Sequence, residues 1–230
     1  FRRVLFRSQY SRQLRTVARQ VGAIVEAFDP LSAQAIAAMT QTLRRYAEII
    51  TPWANAVGAR MLADVKRRDD AAWAAYTRGM SRALREEIAQ APTGEALRSL
   101  LAEQVHYITS LPTEAAERVH NLVLKGMGTG TRASEVAREI MRTGEVTQGR
   151  ANLIARTETT RAASALTQVR AQHVGSTAYV WRTAEDSDVR PSHRKMNGKV
   201  VMWAAAPVLD GMQGHAGALP NCRCYAEPII

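Results

Sequence analysis

"VRAQHVGSTAYVWRTA", from Val169 to Ala184, is where the chain changes character. Before Gly175, apolar residues recur every three or four positions, the spacing of an amphipathic helix. After it, Tyr179, Val180, Trp181 and Thr183 form a short β-branched and aromatic run, the composition of a strand. Gly175 supplies the helix stop between them. The fold expected is therefore mainly α: a multi-helix N-terminal body with a small C-terminal α+β or β module from about Ser176.

Upstream, the chain reads as helix after helix. "SRQLRTVARQVGAIVEAF" carries Leu14, Val17, Val21, Ile24 and Val25 at helical spacing and ends at Asp29-Pro30. A second helix is expected from about Ser32 to Ile50. Thr51-Pro52 opens a long segment reaching about Gln90, and another helix starts near Thr93. Pro112-Thr113 is expected to begin the next. "GMGTGT" (Gly126–Thr131) lacks the Lys-Ser/Thr pair of a phosphate loop and follows no strand, so it reads as a helix stop and turn. A short helix capped near Thr131 or Ser134 follows, then a long run to Gly175. At the other end, "FRRVLFRS" (Phe1–Ser8) reads as the translated end of a sequencing-library adapter. The fold reading accordingly begins at Gln9, and the true protein is expected to extend further upstream.

Downstream of Ser176, "TAYVWRTA", "GKVVMW" and "CRCYAEPI" read as three strands separated by Asp-, Pro- and Gly-rich loops. Some 55 residues are few for a self-sufficient core, so the module is expected to dock on the helices or be clipped by a metal.

Composition narrows the class. Two cysteines in 230 residues exclude a disulfide-built scaffold and point to a reducing compartment. No apolar run approaches the roughly 20 residues that span a bilayer. Without Arg2, Arg3 and Arg7 the net charge of +10 falls by three to +7, a balance that favours anionic partners such as DNA.

Chemistry-bearing residues gather in the tail. His106, His120 and His173 stand singly on helices, without a metalloprotease spacing or a nearby nucleophile. In "ARTETTRA", Arg156 and Glu158 lie on different faces of one helix and cannot pair with each other. They are either solvated charges or groups that dock the module. Cys222 and Cys224 sit one residue apart, on one face if the segment is extended, and too close for an unstrained disulfide. With His193 they supply three soft or borderline ligands to Zn2+, and His215, a carboxylate or water would complete four. Two thiols packed in a core are the rival, and spacing leaves both open.

"LIARTETTRAASALTQVR", "YVWRTAEDSDVRPSHRKMNGKVV" and "LPNCRCYAEPI", in that order, resemble the phage head morphogenesis family related to protein F of phage Mu. The resemblance covers 119–230, helical over 119–175 with the β-containing module over 176–230, and leaves 9–118 as a helical N-terminal region. The matching residues are Arg156, Thr157, Glu158, Trp181, Thr183, Asp186, Arg190, His193, Gly198, Pro220, Cys222, Arg223, Cys224 and Pro228. In many relatives a CxxC stands where this chain has Arg190-Pro191-Ser192-His193, and a histidine where it has Leu219. Both departures weaken a four-ligand site. The resemblance also implies that Cys222 and Cys224 belong to a folded knot with His193.

The function implied is that of a non-enzymatic minor head protein of a phage or prophage, acting in head assembly at or near the portal. Its partners would be portal, scaffold and capsid proteins, with non-specific contact to packaged DNA and none to membrane. It would reside in the virion, and in the host cytoplasm during assembly. Two alternatives stand beside this. One is a metal-dependent nucleic-acid enzyme using His193 with Asp186 and Asp188, and the other is the delivery module of a prophage-derived toxin.

Overall fold

The computed structural model describes residues 7–230. The adapter-like reading of Phe1–Ser8 therefore lies outside the described residues, except that Arg7 and Ser8 begin the first helix. Among the described residues, seven helices precede the sheet: α1 (Arg7–Glu26), α2 (Ala33–Ile49), α3 (Thr51–Tyr76), α4 (Arg82–Ala89), α5 (Thr93–Thr129), α6 (Ala133–Met141) and α7 (Thr143–His173). Strand β1 (Ala178–Thr183), the short helix α8 (Pro191–Arg194), β2 (Val200–Met202), β3 (Val208–Leu209), β4 (Met212–Gln213) and β5 (Cys224–Pro228) follow. The expected mainly α body with a small strand-bearing module is the fold observed. No helix of the described residues is long and apolar enough to cross a membrane.

Several boundaries differ from the sequence reading, each for a local reason. The single run expected to Gln90 is two helices. The Thr77 hydroxyl donates to the Trp73 carbonyl at the end of α3, and Ser81 caps α4 by accepting from the Leu84 N–H at 3.3 Å. Pro112 does not begin a helix but lies inside α5. It removes one N–H from the ladder, yet Ile108, Leu111, Ala115, Ala116 and Val119 are buried along one face, and packing carries the helix through. Helix α6 starts after Arg132 with no side-chain cap, where Thr131 or Ser134 was expected to supply one. "GMGTGT" does end a helix: Gly130 takes φ 65°, and the Thr131 N–H donates to the Gly126 carbonyl at 3.0 Å.

The chain divides into two compact units, and the division falls within α3, α5 and α7. One comprises 7–58 and 102–155. Its core gathers Val21, Ile24 and Val25 of α1, Met39 and Leu43 of α2, Ala115, Ala116 and Val119 of α5, and Ile140 of α6. A Cβ on Gly144 would stand 2.9 Å from the Gly22 backbone, so the close approach of α1 and α7 depends on having no side chain there.

The other unit comprises, of the described residues, 59–101 and 156–230. Its sheet has the order β2-β1-β5 and is antiparallel throughout; Thr183 stands opposite Cys224 and Tyr179 opposite Pro228. β3 and β4 form a separate hairpin, turning at Asp210 (φ 54°) and Gly211 (φ 76°). The Asp-Gly pair is the sequence signal for that turn. Tyr179, Trp181, Val201, Trp203, Leu219 and Ala226 do not close a core by themselves. Trp73 of α3, Ile88 of α4 and Ala171 of α7 join the same cluster.

Charge is buried in this unit. Arg170, near the end of α7, is 3% exposed. Its Nε donates to Asp69 Oδ2 at 2.7 Å, Nη1 to the Ile88 carbonyl at 3.1 Å, and Nη2 to Asp70. The Thr167 hydroxyl donates to the other Asp69 oxygen. Burial pushes the Asp69 carboxyl up to about 6, against the pull of Arg170. Removing the guanidinium leaves a buried carboxylate uncompensated. Arg170→Ala should lower stability by about 3–5 kcal/mol in denaturant unfolding. Arg156→Ala, at an exposed position on the same helix, should change it by no more than about 0.5 kcal/mol.

Candidate metal centre

The site is built from three short segments. β1 places Trp181, wholly buried, in the middle of the sheet. The chain then returns through the Asp186–Val189 loop into α8, which begins on Pro191 and carries His193. Gly198, at φ 83°, turns the chain back so that its N–H donates to the Trp181 carbonyl at 2.8 Å. His193 meets the Trp181 ring edge-on, with centroids 5.6 Å apart. β5 begins at Cys224, and Cys222 lies two residues earlier, in a turn closed by its N–H onto the Leu219 carbonyl at 3.0 Å.

These segments converge on one imidazole nitrogen. His193 Nδ1 lies 3.4 Å from Cys222 Sγ and 3.4 Å from Cys224 Sγ. The three donor atoms lie within 4.8 Å of one another, and all three residues are buried, none more than 1% exposed. Both cysteines are unbridged. The Gly217 N–H also donates to Cys222 Sγ, at 3.3 Å. The bond with the Cys224 side chain, then His193 and backbone N–H groups, hold the Cys222 thiol well below its ordinary range despite burial. The set can hold a soft divalent ion, or it can share a proton between imidazole and thiolate.

On the far side of the ring, His193 Nε2 is buried without a hydrogen bond and faces Asp210 Oδ2 at 3.9 Å. That carboxylate accepts from the Ser192 hydroxyl at 2.8 Å and lies 3.6 Å from Arg190. Arg190 in turn donates to the Pro220 carbonyl. Asp210 escaped the sequence reading, although Asp210-Gly211 is a hairpin signal between two short apolar runs.

The other expected residues are placed as follows. His215 lies outside the donor group: its Nδ1 is 3.2 Å from the Tyr179 hydroxyl, its ring packs against Trp203, and burial lowers its pKa. Asp186 and Asp188 both pair with Arg223 and do not meet His193. Thr183 donates its N–H to Asn197 Oδ1, and Pro228 accepts from the Tyr76 hydroxyl at 2.7 Å. In the Arg156-Thr157-Glu158 triplet, Arg156 is exposed and Glu158 is buried with Arg161 3.7 Å away. One bond reaching the Pro220–Cys224 turn is made by the residue between them. Thr157 Oγ1 accepts from the Asn221 N–H at 3.1 Å.

Residues 117–227 match the family described as Phage Mu protein F like protein. The match includes α7, the whole module up to Glu227, and all three converging donors. A protein of Haemophilus influenzae (strain ATCC 51907 / DSM 11121 / KW20 / Rd), described as an uncharacterized protein, is 32% identical over 136 residues. That alignment takes in 59% of this chain and 30% of the relative's length. No solved structure matches.

Thr157→Val keeps the side-chain shape and removes the acceptor at the turn. It should cost about 0.5–1.5 kcal/mol in chemical unfolding, and Asp188→Ala in the exposed loop no more than about 0.5 kcal/mol.

Proposed function

We propose that this chain is a minor head protein of a phage or prophage, acting in head assembly at or near the portal. The observation that carries the reading is the family match over 117–227, whose matched residues are those that build the knot. Their placement supports a structural role. His193 and both cysteines are sealed from solvent, and Asp186 and Asp188 are held by Arg223. The helices of the other unit would contact portal, scaffold or capsid proteins in the virion and, during assembly, in the host cytoplasm. The basic balance, +10 less three when Arg2, Arg3 and Arg7 are set aside, suits contact with packaged DNA, sequence-independent and weakening steeply with salt.

The test is assembly with and without this chain. The chain would be co-expressed with portal, scaffold and major capsid proteins of its source phage or prophage, and the particles analysed by quantitative mass spectrometry. The chain should be retained at a small fraction of the capsid protein's abundance and should co-purify with the portal. Particles that exclude it, with unchanged yield and infectivity when it is omitted, would overturn the proposal. Nicking of DNA that needs a metal and vanishes in a His193→Ala protein of unchanged stability would favour a nucleic-acid enzyme instead.

A further inference from the structure

We propose that His193, Cys222 and Cys224 are the protein ligands of one zinc ion, bound through the imidazole Nδ1, and that Asp210 orients the ring from its Nε2 side. The inference is independent of the head-assembly reading, since it rests on the geometry of the knot alone.

Distance is the first argument. Zinc bonds of about 2.3 Å to sulfur and 2.0–2.1 Å to nitrogen, set tetrahedrally, separate neighbouring N and S ligands by about 3.5 Å. The two observed separations are 3.4 Å each. Donors drawn from α8, a turn and a strand thus already stand at the spacing a tetrahedral ion requires.

Charge is the second. The three side chains are no more than 1% exposed, so a net charge there would be costly. Two thiolates, a neutral imidazole and Zn2+ sum to zero. A monovalent soft ion would leave one negative charge buried, and Mg2+ or Ca2+ would want oxygen donors. The Gly217 N–H on Cys222 Sγ is placed to stabilise a thiolate.

The third argument is the unpaired nitrogen. A metal-bound histidine characteristically donates its other N–H to a carboxylate, which fixes both tautomer and ring orientation. Here Nε2 is buried, lacks a hydrogen bond and faces Asp210 Oδ2 at 3.9 Å. Ser192 and Arg190 hold that carboxylate in place. Among the described residues these three are the donors that converge.

The experiment uses the whole chain, purified without chelator. Elemental analysis should find one zinc per chain. Cobalt exchanged into the site should show sulfur-to-metal charge-transfer absorption in the near ultraviolet. Stripped protein should unfold at lower temperature and recover with one equivalent of Zn2+ but not with Mg2+. Cys222→Ser and Cys224→Ser should abolish the cobalt band; if either fails to fold, the wild-type metal titration decides. Asp210→Asn, at a partly exposed position, should fold and keep one zinc with affinity lowered roughly 10–100-fold. Folded wild-type protein that holds no metal and gains no thermal stability from Zn2+ would overturn the site in favour of a bare imidazole–thiolate pair. An Asp210→Asn protein binding zinc as tightly as wild type would overturn the orienting role.

Discussion

A three-stranded sheet of this size has too little interior to hold itself together, and the second unit is organised around that shortage. The aromatic side chains of β1, and Trp203 just after β2, need cover, and Trp73, Ile88 and Ala171 supply it from three separate helices. Hydrogen bonds fix the same contact at its margins. Ser164 donates to the Ala216 carbonyl at 2.7 Å, Tyr76 reaches the Pro228 carbonyl, and Thr157 receives the Asn221 N–H. The helices are therefore part of the module's core. Strand-level and helix-level stability in this unit are one quantity, because neither side of the cluster can be removed without exposing the other.

The Arg170 cluster shows how this arrangement handles charge. A guanidinium buried between α3, α4 and α7 has its donors directed at two carboxylates and a backbone carbonyl. Breaking such a pair is far more costly than forming it is favourable. Its value lies in fixing which helix faces meet, since a shift of one turn would strand Asp69 without a cation.

Much of the architecture was legible in the sequence because it rests on periodicity. The helix-to-strand switch at Gly175, the three sheet strands and the glycine stop at Gly130 all follow from local composition. What stayed hidden depends on long-range partners. Pro112 carries the local signature of a helix start, yet buried neighbours on both sides override it. Arg170 is indistinguishable from a surface arginine until Asp69, about a hundred residues earlier, is brought beside it. At the candidate site, the two cysteines and His193 were legible as a set because their chemistry is unusual here. Asp210 and Thr157 were not, since one sits in an overlooked hairpin turn and the other between two more conspicuous charges. His215 was drawn toward the cluster by sequence proximity, whereas its ring packs on Tyr179 and Trp203.

The unit that carries the knot is discontinuous: its first segment ends at residue 101 and its second begins at 156, with the other unit's chain in between. β1 lies between β2 and β5, and β5 is the last of the five strands to be synthesised. During translation, Trp73 and Ile88 emerge long before the sheet that covers them exists. Domains whose contacts span long stretches of chain fold slowly, and their apolar surfaces remain available to other molecules meanwhile. The other unit, by contrast, has all its residues synthesised by position 155.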